Sequence, residues 1–112
     1  MLPKEHRLTD KKDFNYVFRQ GWGLRSEFFI AKIVKNDRGV VRFGFVVSKK
    51  LVKKATGRNL IKRRMSEAVK FFLNHLQGGC DVVIIAQPVI IGKKFEEIKE
   101  AMELLLRQAK MI

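Results

Sequence analysis

The chain has little of several things that decide what a small protein can be. Its 112 residues include one cysteine, Cys80. No internal disulfide can form, and with two histidines the Cys/His set of a zinc site is missing. A lone thiol fits a reducing, cytoplasmic setting, which is the expected location. There are two prolines, no Pro/Ser tract, no repeat and no low-complexity stretch, so the expectation is a single domain over 1–112 with an ordered core of about 8–109. Apolar runs are short. The longest, Val82 to Ala86, is far below the roughly 20 residues of a membrane-spanning helix, and the polar start, Met1 to Lys12, does not read as a secretory leader. No membrane partner is expected. Acids are scarce too: 11 Asp and Glu stand against 24 Lys and Arg, a formal charge of +13. A domain so charged repels itself, and the usual counterpart of such a field is a polyanion, with nucleic acid ahead of an acidic membrane surface.

What is present suffices for a modest core, since 46% of residues are hydrophobic and 10% aromatic. Thr9 or Asp10 is placed to cap a helix running to about Gln20, with Phe14, Val17 and Phe18 on one face and Gly21 ending it. Glu27 to Lys35 and Val40 to Ser48, rich in Phe, Ile and Val, flank the turn residues Asn36-Asp37-Arg38-Gly39. That pattern predicts an antiparallel hairpin, with Trp22 to Ser26 adding a short strand before it. Helical spacing of Ile61, Met65, Ala68, Val69, Phe72, Leu73 and Leu76 predicts a long helix from about Thr56 to Leu76, stopped by Gly78-Gly79. Val82-Val83-Ile84-Ile85 suits a strand buried on both faces inside the sheet. A last helix from about Lys93 to Lys110 carries Phe95, Ile98, Met102, Leu105, Leu106 and Ala109 on one stripe, with Glu96, Glu97 and Glu100 in its first turns. The expected fold is α+β, in the order α-β-β-β-α-β-α, with helices packed on a small four-stranded sheet.

Charge concentrates in one place. From Lys49 to Lys70 there are nine basic residues and the single acid Glu67, so this segment holds +8 of the +13. At about 100° per residue, with Arg58 at zero, Lys62 falls near 40°, Ser66 near 80°, Asn59 near 100°, Lys70 near 120° and Arg63 near 140°, flanking a core stripe centred at about 330°. One reading is a solvated helix face. Against it, Arg58, Lys62, Arg63 and Arg64 crowd the first two turns, where the positive end of the helix dipole penalises each cation by roughly 0.3–1 kcal/mol unless an anion is present. The other reading is therefore a polyanion dock, built from free N–H groups, forked guanidinium groups and lysine charges.

The same residues carry a resemblance. Arg42-Phe43-Gly44-Phe45-Val46-Val47-Ser48-Lys49-Lys50, then Ala55, Arg58-Asn59 and Ile61-Lys62-Arg63, is similar to the signature of the bacterial ribonuclease P protein subunit family. Arg7-Leu8, the Asp13-Phe14 to Val17-Phe18 helix and Asp81-Val82-Val83-Ile84-Ile85-Ala86 follow in family order, so the likeness covers roughly Arg7 to Leu106. Leu60 stands where the family's Arg-Asn-Arg motif usually has its second arginine, leaving Arg63 or Arg64 to replace that contact. The resemblance implies a left-handed β-α-β crossover, which no residue pattern would give. It implies a non-catalytic subunit beside a catalytic RNA, which uses magnesium to remove the 5′ leader of precursor tRNA. The expected RNA-subunit contacts are Lys53, Lys54, Arg58, Asn59, Lys62, Arg63 and Arg64.

The leader contacts that the resemblance implies are Phe14, Phe18, Ser48 and Lys50, in a cleft between the first helix and the sheet. The residues alone leave Phe14 and Phe18 open between core packing and base stacking. Strand alternation puts Gly44, Val46 and Ser48 on one face and Phe43, Phe45 and Val47 on the other, and the small-residue face is the better cleft floor. On the preceding strand Ala31 takes the family's aromatic position, with Phe29 as a substitute on the same face. His6 and His75 are too far apart in sequence to suggest a pair, and Glu96, Glu97, Glu100 and Glu103 fit a solvated helix face. No Ser-His-Asp set, P-loop or paired-carboxylate arrangement is evident. The expectation is no catalytic or metal-ligating residue in the protein, no small-molecule substrate, and magnesium held with the RNA. The rival readings are a general or ribosome-associated RNA-binding module and a protein-only nuclease.

Overall fold

Of the two candidate caps, Thr9 and Asp10, it is Asp10 that opens the first helix: its side chain accepts a 3.0 Å hydrogen bond from the Lys12 amide. In the computed structural model, which describes residues 2–112, this helix α1 spans Lys11–Gln20 and ends at Gly21. A β-carbon at Gly21 would lie 2.5 Å from the Val17 carbonyl oxygen, so only glycine lets the chain leave the helix so tightly. Strands β1 (Trp22–Arg25), β2 (Phe29–Lys35) and β3 (Arg42–Val46) follow, then α2 (Ala55–Lys70), β4 (Cys80–Ala86) and α3 (Phe95–Gln108). Short 3₁₀ turns at Lys4–His6, Leu73–His75 and Pro88–Ile90 complete the order. The α+β class and the element order agree with expectation.

The sheet order is β1-β2-β4-β3, with β2 antiparallel to both β1 and β4, and β3 parallel to β4. The predicted hairpin between residues 27–35 and 40–48 is therefore wrong. The turn chemistry is real: Gly39 has φ +75°, and the Asn36 side chain donates to the Val40 carbonyl and accepts from the Arg38 amide. The turn carries the chain past β4 and not back onto β2; the actual hairpin is β1–β2, where the Ser26 amide bonds the Phe29 carbonyl. The reason lies in β4, whose Val82, Val83 and Ile84 are all fully buried. A strand apolar on both faces needs a neighbour on each side and a layer above and below, and a central position gives it both. Helix α2 makes the crossover joining the parallel pair β3 and β4.

Strand alternation divides the core in two. Phe29, Ala31, Ile33, Phe43, Val82 and Ile84 point to one face, where they meet Met65, Ala68 and Val69 of α2 and Ile98, Met102 and Leu105 of α3. Leu2 and Met111 also reach this core. Val83 points to the other face and packs with Val17 of α1 and with Leu8. The long helix stops at Lys70, about six residues earlier than predicted. From Phe72 the chain turns into the 3₁₀ segment, which lets Phe72, Leu73 and Leu76 pack on the main core without continuing the helix.

Candidate nucleic-acid interface

The first surface is built on the start of α2. Its N-cap is Lys54, which makes no side-chain capping bond, and its first turn holds no acid. The terminal N–H groups and the positive dipole end are thus unopposed by any carboxylate of the helix itself. The loop before it is tied in two ways. Ser48 accepts from the Leu51 amide through its hydroxyl (3.2 Å) and through its carbonyl, which also takes the Val52 amide. The Arg58 Nη1 reaches back to the carbonyls of Val52 (3.0 Å) and Lys53 (2.7 Å). Arg58 therefore positions the loop that holds Lys50, Lys53 and Lys54 exposed.

Further along the helix, Asn59, Lys62 and Arg63 line a cleft of about 370 Å³ together with Ser66. The opposite wall is the N-terminal segment Arg7-Leu8-Thr9, which is held against the edge of the sheet by a 2.9 Å bond from the Leu8 amide to the Phe43 carbonyl. Arg64 is not among the lining residues; it falls near 240° on the helical wheel, well away from them. Leu60, near 200°, is exposed outside the cleft. Of the two replacements the sequence offered for the missing arginine, the cleft contains Arg63.

The second surface is the α1 face of the sheet. Register places Ile30, Ile85 and Val46 in one row across β2, β4 and β3, and Lys32, Val83 and Gly44 in the next. Helix α1 covers Val83, while Ile30, Ile85 and Val46 remain half-exposed. Phe14 lies over Gly44, where a β-carbon would collide with its ring. It is half-buried against Val17, Val83 and Leu8, whereas Phe18, one turn on, is 42% exposed. Phe14 therefore takes part in the packing and Phe18 stands free. Ser48 is exposed two residues beyond Val46. Phe29 and Ala31 are fully buried on the opposite face, so neither can contribute to this surface; the β2 side chains that do are Ile30 and Lys32.

An ion-pair network fixes α1 here. Arg42 binds Asp81 through two hydrogen bonds of 2.8 and 2.7 Å and reaches Asp13, the neighbour of Phe14, at 3.4 Å. Burial alone would raise Asp81, but hydrogen bonds from Arg42 and Asn36 and the charges of Arg42 and Arg38 prevail, leaving its carboxyl below the ordinary range. Burial, then the Asp81 charge, pushes the Cys80 thiol up, which disfavours the thiolate. The His6 ring bonds the Val41 carbonyl at 2.8 Å, and Glu103 pairs with Arg107 at 2.9 Å. Among the described residues, no three of His, Cys, Asp and Glu gather as metal ligands, and no helix is long and apolar enough to cross a membrane.

The family model for Ribonuclease P matches residues 2–110. The chain belongs to the ribonuclease P protein family. It is 38% identical to the ribonuclease P protein component of Synechocystis, over 99% of this chain and 90% of that one. Against the component from Alkaliphilus metalliredigens the figures are 31%, 99% and 99%. Among solved structures, the RNase P protein of Thermotoga maritima superposes with a TM-score of 0.81 at 31% identity, covering 90% of this chain and 96% of that one. A Staphylococcus aureus RNase P protein mutant with defective mRNA degradation activity gives 0.87 at 28% identity, covering 97% and 92%. As a ribonuclease P protein the chain has site features that sequence reasoning missed: Arg7 on the cleft wall, and Ile30, Lys32 and Ile85 on the sheet face. The period-two pattern of β2 contains the signal for Ile30 and Lys32, since both alternate with the buried Phe29, Ala31 and Ile33.

Proposed function

We infer that the chain is the RNA-binding subunit of a ribonuclease P, docking on a catalytic RNA through the start of α2 and receiving the single-stranded 5′ leader of precursor tRNA on the α1 face of the sheet. The observation that carries this reading is a pair of adjoining surfaces on one small basic domain, meeting at Phe14 and Gly44. One is an acid-free helix start with cations, suited to phosphates. The other is a half-exposed apolar row beside the exposed Phe18, suited to unpaired bases. Lys53, Lys54, Asn59, Lys62 and Arg63 serve the first, with Arg58 holding the loop and Arg64 on another side of the same helix, away from the cleft. Phe14, Phe18, Ser48 and Lys50 serve the second. Cleavage chemistry belongs to the RNA, and the magnesium it uses is held by that RNA in the cytoplasm of the cell.

Reconstitution tests the proposal. The chain alone should leave precursor tRNA intact with magnesium present, and adding it to a ribonuclease P RNA should raise cleavage at the mature 5′ end. Cleavage by the chain alone would make it a protein nuclease. Binding to RNA with no effect on cleavage would make it a general RNA-binding module.

A further inference from the structure

The cleft between α2 and the N-terminal segment has a feature that packing does not explain. Ser66 lines it and is 7% exposed, yet its hydroxyl has no hydrogen-bond partner among the described residues. A buried hydroxyl without a partner is costly, and beside a cleft the missing partner can be supplied by a ligand seated there. The surroundings specify the ligand. β3 is the last strand of the sheet, its edge bridged at Phe43 by Arg7, and the cleft wraps that edge, with Phe14 and Gly44 on one side and Phe45 on the other. Phe43 turns its carbonyl outward to the Leu8 amide, so Phe45, two residues on, turns its own backbone N–H and C=O to the same open edge. The Asn59 amide adds a donor and an acceptor, and Lys62 and Arg63 place two cations beside it.

We propose that this cleft takes one unpaired nucleotide. The flat base inserts between the phenylalanine walls and is read by Ser66, Asn59 and the Phe45 backbone, while its phosphate lies on Lys62 and Arg63. An apolar cleft of a few hundred cubic ångströms with a few convergent polar groups fits such a ligand, and base–aromatic stacking with polar edge contacts is how unpaired nucleotides are held. The proposal rests on the RNA-binding reading above and names a site within it, beside the half-exposed row of Ile30, Ile85 and Val46 and sharing Phe14 with that face.

The test uses the full chain, isotopically labelled, titrated with adenosine 5′-monophosphate and separately with inorganic phosphate. The nucleotide should move the amide signals of Gly44, Phe45, Asn59 and Ser66, and phosphate only those near Lys62 and Arg63. Identical patterns for the two ligands, or still signals at Gly44 and Phe45, would overturn the proposal. Ser66→Ala separates binding from folding. It should leave the melting temperature unchanged or higher, because an unpartnered hydroxyl is removed, and weaken nucleotide binding about two- to tenfold. Wild-type nucleotide affinity in both Ser66→Ala and the cleft-filling Ser66→Leu refutes the site. Two further arms identify the source of the nucleotide. In a chain active in reconstitution, loss of affinity of Ser66→Leu for the RNA subunit alone assigns it to that RNA, and loss only for long-leader precursor assigns it to the leader; loss in neither overturns the proposal. The mononucleotide arm does not depend on precursor cleavage, so a chain inactive in reconstitution that still binds the nucleotide keeps this site and loses the subunit reading.

Discussion

Arg42 and Asp81 are direct register partners across the parallel pair β3 and β4, and they meet on the α1 face through two short hydrogen bonds. Their side chains are 12% and 8% exposed. Removing either partner leaves a largely buried charge with a weaker substitute, Asp13 at 3.4 Å for Arg42 and the Asn36 amide for Asp81. Arg42→Ala or Asp81→Ala should therefore cost about 3–5 kcal/mol of folding stability, measured by urea unfolding. A loss below about 1 kcal/mol would mean that water replaces the missing partner.

The same pair sets an acid limit. The Asp81 carboxyl lies below its ordinary value in the folded chain, so the folded state binds this proton less readily than the unfolded one. Its stabilisation is complete above the unfolded value of about 4 and is lost as pH falls from there through the lowered folded value. Unfolding free energies measured between pH 6 and pH 3 should show this decline, and Asp81→Asn should flatten it.

Gly44 is the seat of Phe14. Gly44→Ala places a methyl group where the ring lies, and such overpacking costs about 1–3 kcal/mol. Calorimetry of the variant checks the cost. Phe14→Ala in the same background should recover part of it, because the collision is with that ring.

Phe14 and Phe18 should separate by experiment. Phe18→Ala removes an exposed ring and should leave stability within about 0.5 kcal/mol, while weakening binding of long-leader precursor by about 1–3 kcal/mol. Short-leader precursor should bind as before. Phe14→Ala should lower the melting temperature as well, because that ring packs against Val17 and Val83. Equal losses for both leader lengths in Phe18→Ala would remove it from the leader surface.

On α2 the basic residues divide by role. Lys62→Ala and Arg63→Ala should each flatten the log–log salt dependence of RNA-subunit binding by something near 0.7–0.9 per lost phosphate contact. Arg58→Ala should in addition loosen the loop it holds, seen as faster amide exchange at Leu51 and Val52. Normal exchange there would show that the Ser48 turn suffices.

Local signals were legible in the sequence and distant ones were not. The Asp10 cap, the Gly21 stop, the α3 stripe and the apolar β4 could each be read within a few residues, because capping, helical period and burial are local properties. The partner of β3 could not. Turn chemistry at Asn36–Gly39 describes four residues, whereas the choice of β4 over β2 depends on a strand some forty residues later. The helix end at Lys70 was missed for a related reason: Phe72, Leu73 and Leu76 keep a helical spacing but meet the core from a 3₁₀ turn. For the candidate site, the strip Asn59, Lys62, Arg63 and Ser66 was visible as one flank of a helix. Its opposite wall, Arg7-Leu8-Thr9, is contributed by a segment whose placement no spacing reveals.

The strand order bears on how the chain is made. A nascent chain ending before Cys80 lacks the strand that separates β2 from β3, so the two can meet side by side in the hairpin that Asn36–Gly39 invites. Such a pairing, if formed, would have to open before β4 could enter between them. The native strand order therefore has to wait for residues 80–86, although every side chain lining the α2 cleft lies before position 67.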